Sequence, residues 1–143
     1  MPFLVERRKT MIKKTYTYVD YNGNERTEDH YFNLNEAETL KLEMGEKGGL
    51  TEKIRRVIAA QDIPEIMKVF DELIIISYGI KSPDGREFIK SPEISKSFMQ
   101  TEAYNKLFMD FVTKEGFAAQ FFNELIPNSS GVENNNVVPM TTV

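Results

Sequence analysis

The chain reads as alternating sequence first and helical sequence afterwards. Residues 12–21 (IKKTYTYVDY) are rich in Thr, Tyr and Val and predict a β-strand. Asn22-Gly23 follows, and both residues tolerate positive φ, so a two-residue hairpin turn is expected there. Residues 27–34 (TEDHYFNL) form the return strand. With that turn, Tyr16, Tyr18 and Tyr31 share one face and Val19 and Phe32 the other. Neither face is plainly apolar, so the register stays open by one residue.

From residue 35 the apolar period lengthens to that of a helix. Asn35 and Glu38 stand at capping-box spacing, and Ala37, Leu40 and Met44 recur on one face. Glycines between 45 and 49 end this helix. The next spans about 51–61, with Thr51 as N-cap candidate and a stripe of Leu50, Ile54, Val57 and Ile58. Asp62 caps a third helix, with Pro64 in its first turn. Residues 65–78 are apolar nearly all round, which marks a central core helix or an interface helix, and Gly79 reads as its C-cap. Ser82-Pro83-Asp84-Gly85 fits a type I turn, and 86–90 (REFIK) a short extended piece. Ser91-Pro92 opens another helix. Thr101 caps a further helix or lies within a bent one; Tyr104, Leu107, Phe108, Phe111 and Val112 form its stripe. Gly116 loosens the chain before a last amphipathic helix carrying Phe117, Phe121, Phe122 and Leu125.

The expected fold class is therefore α+β: an N-terminal β-hairpin (12–34), then a mainly α-helical bundle of about five short helices (35–126). Residues 11–127 form one domain, 1–10 an extension or arm, and 128–143 (NSSGVENNNVVPMTTV) a disordered, flexible tail with little to bury. Met11 opens directly on the first strand and reads as an alternative start.

Composition narrows the function more than it names it. The net charge is −4 in 143 residues, which argues against a general nucleic-acid binder. The longest apolar run, 73–76, is far too short for a membrane helix. No cysteine is present, which removes disulfides, thiol nucleophiles and thiolate metal sites. The single histidine, His30, stands in no triad pattern and reads as a surface or edge residue. Glu28, Asp29, Glu36, Glu38, Glu43 and Glu46 supply carboxylates, but on turns and helix surfaces a solvated face is the simpler reading. Gly45, Gly48 and Gly49 lack Walker spacing and follow no strand. Lys53, Arg55 and Arg56, and again Lys81, Arg86 and Lys90, form small basic clusters that decorate helices more readily than they bind phosphate. No catalytic site, cofactor site or metal site is expected. Ten Phe and seven Met are many for this length, so some apolar surface is expected to meet another chain.

The ordered set of pieces resembles the tail assembly chaperones of long-tailed phages of Gram-positive bacteria. The pieces are Tyr21-Asn22-Gly23, Phe32-Asn33-Leu34, Gly48-Gly49-Leu50, Tyr78-Gly79, Ser82-Pro83-Asp84-Gly85-Arg86, Phe88-Ile89-Lys90-Ser91, Gln100-Thr101-Glu102-Ala103-Tyr104 and the closing 122–127. The resemblance covers nearly everything from 11 to 127. It implies a non-enzymatic role: binding the tape-measure protein and helping bring tail-tube protein to it, in the host cytoplasm during infection. It also implies absence from the mature virion, and in that family a longer frameshifted product is common. Self-association is a further expectation. The expected partner-binding residues are Ile75, Tyr78, Phe88, Phe98, Tyr104, Phe108 and Phe111. The competing readings are a permanent tail or connector protein of the virion and a phage-encoded binder of a host protein.

Overall fold

The computed structural model describes residues 11–126. The expectations for the 1–10 arm and the 128–143 tail lie outside the described residues. Strands β1 (Ile12–Val19) and β2 (Glu25–Phe32) form the expected antiparallel hairpin. Helices α1 (Glu36–Gly45), α2 (Leu50–Ala60) and α3 (Ile63–Ser77) follow. Strands β3 (Tyr78–Lys81) and β4 (Phe88–Ile89) then return the chain to the sheet, and α4 (Pro92–Met99), α5 (Glu102–Thr113) and α6 (Phe117–Leu125) complete it. The α+β class is as expected. The hairpin is half of a four-stranded antiparallel sheet of order β1-β2-β3-β4, and the described residues hold six helices rather than five.

The hairpin register differs by one residue from that of an Asn-Gly two-residue turn, and Asp20 is the reason. Its Oδ1 accepts from the backbone N–H groups of Asn22 and Asn24, each at 2.9 Å. Its own N–H donates to the Asn24 carbonyl at 2.8 Å, and its carbonyl accepts from Gly23 at 2.9 Å. The loop is thus three residues long, with Gly23 alone taking positive φ (+85°). This is a type I turn closed by a left-handed glycine, and Asp favours its first position. Ile12 pairs with Phe32 and Tyr16 with Glu28. One residue of slip moves every β2 side chain to the other face. Tyr31 therefore points away from Tyr16 and Tyr18, while His30 and Phe32 join them against the helices. On the outer face Thr15 donates to Asp29 (2.6 Å) and Thr17 meets Thr27 (2.8 Å).

Local capping chemistry sets most helix starts. The Asn35 carboxamide accepts from Glu38 N–H at 2.8 Å and the Glu38 carboxylate from Asn35 N–H at 2.9 Å. Asp62, Ser91 and Thr101 cap α3, α4 and α5 as expected, so Thr101 opens a separate helix. Thr51 is not an N-cap. Gly49 holds that place at φ +93°, and the Glu43 carboxylate, reaching from α1, takes the Thr51 N–H (3.0 Å) and hydroxyl (2.7 Å). Glu38 and Glu43 are thus structural acceptors rather than a solvated face.

The core is largely aromatic. Phe32, Phe70, Phe98, Phe111, Phe121 and Phe122 are all buried and meet at ring-centroid distances of 4.0–6.4 Å. Helix α3 is the central helix, burying Ile66, Val69, Phe70, Leu73 and Ile74. No Phe among the described residues is exposed, so the aromatic content is spent mostly inside. The expected α1 stripe faces outward instead: Leu40 is 60% and Met44 78% exposed.

Gly79 is not a C-cap. It sits in β3 without positive φ, and a Cβ there would fall 2.7 Å from the Phe88 ring and 2.9 Å from the Ile89 carbonyl. It is glycine because β4 passes too close for a side chain. Lys90 closes the same corner. Its ammonium donates to the carbonyls of Asn33 (3.0 Å) and Ile76 (3.1 Å) and to Glu38 (2.9 Å), joining the sheet, α3 and α1. Lys90 is therefore no part of a free basic patch. Burial raises the Glu38 carboxyl, but the bonds from Lys90 and Asn35 outweigh it and leave Glu38 below the usual carboxylate range.

His30 is buried rather than superficial. Its ring lies 5.0 Å from Phe98, and neither ring nitrogen has a hydrogen-bond partner among the described residues. Desolvation pushes it below its ordinary value despite the Glu28 and Asp29 charges, which pull it up.

Candidate functional site

The three-residue loop at the hairpin tip leaves Tyr21 projecting into solvent, 77% exposed, over the start of α5. Its hydroxyl donates to Glu102 Oε2 at 2.9 Å. Below it the chain turns from α4 into α5. The Thr101 hydroxyl donates to the Phe98 carbonyl at 2.7 Å and accepts from Tyr104 N–H at 3.3 Å, which fixes that turn. Helix α3 supplies the facing wall with Met67 and Asp71, one turn apart.

Two adjoining cavities result. One, of about 420 Å³, is lined by Met67, Asp71, Met99, Tyr104 and Phe108 among others. The second, of about 320 Å³, runs under the hairpin past Tyr18, Asp20, Arg26 and Glu28. Both are bordered by Tyr21, Gln100, Thr101 and Glu102, so they form one groove. Its floor is anchored in the core: Tyr104 stacks on Phe70 at 6.2 Å and Phe108 meets the same ring edge-on at 5.9 Å. The Tyr104 hydroxyl donates to Asp71. Burial and that carboxylate raise the Tyr104 hydroxyl well above the usual phenol range.

The groove is acidic. Among the described residues, Asp20, Glu28, Asp71 and Glu102 line it together with the guanidinium of Arg26. Arg26 is itself engaged by Asp20 (2.6 Å) and Glu28 (3.3 Å). Arg26 holds the Asp20 carboxyl below its usual range. Burial and the Glu28 carboxylate push the Tyr18 hydroxyl up to about 12.

Of the residues expected to bind a partner, the groove brings together Tyr104 and Phe108 only. Phe98 and Phe111 are core residues, 4% and 3% exposed. Tyr78 stacks on Phe98 at 4.2 Å beneath the sheet. Phe88 is half-buried, and a Cβ on Gly79 would meet its ring; Ile75 is exposed on α3, outside the groove lining. Tyr21, Met67, Asp71, Met99 and Glu102 were not legible as a site. The usable signal was the Asp20 turn, which places the following residue at the tip, and the one-turn spacing of Met67 and Asp71.

Another hollow, of about 560 Å³, lies along α1 between Ala37, Leu40, Glu43 and Ile126. Among the described residues no three His, Asp or Glu gather as they would around a metal ion. No helix among them is long and apolar enough to cross a membrane. What the groove offers is an apolar floor with charged walls, suited to holding a side-chain ridge of another protein.

A family model described as "Phage tail assembly chaperone" matches residues 11–134. The chain belongs to the phage tail assembly chaperone family. The match begins at Met11, beside the first residue of β1, and takes in every element of this chaperone's described structure. Neither the curated proteins nor the solved structures offer a match to this chaperone. Membership implies a non-enzymatic role and binding to phage tail proteins.

Proposed function

We propose that the chain binds the phage tape-measure protein before the tail tube encloses it. It does so in the host cytoplasm, helps deliver tail-tube protein, and is left out of the finished virion. Family membership is the observation that carries this reading. The physical requirement supports it. A long helical protein awaiting its tube exposes apolar stripes, and these must be covered against aggregation. The groove at Tyr104 and Phe108 has the matching chemistry, an open apolar floor in an acidic protein.

Co-expression of the tape-measure protein with the tagged full-length chain tests the reading. A complex should be recovered, and the chain should be missing from mass spectra of purified virions. A tape-measure protein recovered without the chain overturns the binding role. Stoichiometric presence in virions would instead mark a permanent tail component.

A further inference from the structure

The groove under the hairpin tip carries more information than its apolar floor. Among the described residues its walls bear the carboxylates of Asp20, Glu28, Asp71 and Glu102 and the guanidinium of Arg26. Asp71 and Glu102 each accept one tyrosine hydroxyl, which leaves each a second oxygen not engaged by that tyrosine. Met67 and Met99 line the same cavity as Asp71 and Glu102. Methionine is unbranched and adapts to ridges of varied shape. Tyr21 overhangs the entry with most of its ring in solvent.

We propose that this groove receives an amphipathic helical segment of the tape-measure protein whose apolar ridge is flanked by lysine or arginine; this rests on the function proposed above. The apolar ridge settles on Met67, Met99, Tyr104 and Phe108. The flanking cations reach the other oxygens of Asp71 and Glu102. Opposite charges at the rim set register and speed encounter. A segment flanked by Asp or Glu meets the carboxylates of Asp71 and Glu102 and is rejected. The occupant's charge follows from Asp71 and Glu102, since Arg26 already answers Asp20 and Glu28 and a purely apolar ligand would offer the other two no counter-charge.

The test uses the full-length chain and its tape-measure protein in titration calorimetry. The groove variant is Glu102→Lys with Asn105→Lys; both side chains line the groove and Asn105 is exposed. Leu40→Lys, on the exposed face of α1, is the control. Thermal melts of each variant separate lost binding from lost folding. The groove variant should bind about tenfold or more weakly while the control binds as the parent does. Parent binding should also weaken about tenfold between roughly 50 mM and 500 mM salt. If the groove variant melts early, Asn105→Lys alone replaces it, with the same expected direction. Parent-like affinity in a folded groove variant, or affinity indifferent to salt, overturns the groove assignment and leaves the function standing. No binding by the parent chain overturns both.

Discussion

Replacing Lys90 with Met tests how the sheet is tied to the helices. The substitution keeps most of the stem and removes the ammonium. It deprives the Asn33 and Ile76 carbonyls and the Glu38 carboxylate of a donor at 3.0, 3.1 and 2.9 Å. The Lys90 side chain is 20% and the Glu38 side chain 35% exposed, so water screens the ion pair and limits it to about 1 kcal/mol or less. The two carbonyls matter more. Each half-buried acceptor that loses this donor costs up to about 1–3 kcal/mol, less where water or another donor serves it. The expected loss is about 2–4 kcal/mol, or roughly 8–16 °C in Tm at about 4 °C per kcal/mol for a domain of this size. Urea unfolding followed by far-UV circular dichroism measures it, with an unchanged slope if only stability moves. Lys90→Arg should restore only part, because a planar guanidinium cannot aim at three acceptors in different directions. A Lys90→Met loss under about 0.5 kcal/mol would refute the role given to this side chain.

Gly79→Ala should destabilise the chain by about 1–3 kcal/mol, because the added methyl meets Phe88, Lys90 and the Ile89 carbonyl inside 3 Å; a neutral effect in the same urea assay contradicts the β3–β4 geometry. His30→Phe should remove a pH dependence. The buried ring takes up a proton less readily folded than unfolded, where its value is near 6.5, so stability is full above that and falls as pH drops through it toward the lowered folded value. Unfolding midpoints of parent and variant from pH 7.5 to pH 5 (about the range over which histidine titrates) should converge on the alkaline side and part on the acid side, and parallel curves would exclude His30 as the cause. Asp20→Ala should loosen the hairpin tip through lost bonds to Asn22, Asn24 and Arg26, visible as faster amide exchange in β1 and β2 without global unfolding.

Elements whose cause is local were legible in the sequence. The caps at Asn35, Asp62, Ser91 and Thr101 depend on residues three positions apart, and all four form. The amphipathic stripes of α2, α5 and α6 face the core for the same reason. Features with distant causes were not legible. The hairpin register turned on whether Asp20 or the Asn22-Gly23 pair governed the loop, and the Asp20 side chain decided it. Gly79 after an apolar helix reads equally as a cap or as a close approach; only β4, arriving from ten residues on, distinguishes them. The same holds for Glu43, whose partner Thr51 lies across a glycine connection. For the candidate groove, aromatic spacing pointed to α5 but could not separate the side of Tyr104 and Phe108 from the buried side of Leu107 and Phe111. Its acidic walls come from the hairpin, α3 and α5 together, which no single stretch of sequence contains.

The most direct measurement of the proposed role is the soluble fraction of the tape-measure protein, quantified with and without equimolar full-length chain at several total concentrations. A chaperone that covers apolar stripes predicts a soluble fraction that rises with the chain and saturates at a fixed ratio, with both proteins in one sedimenting species. A soluble fraction that stays the same at every ratio, with the two proteins sedimenting apart, would contradict it.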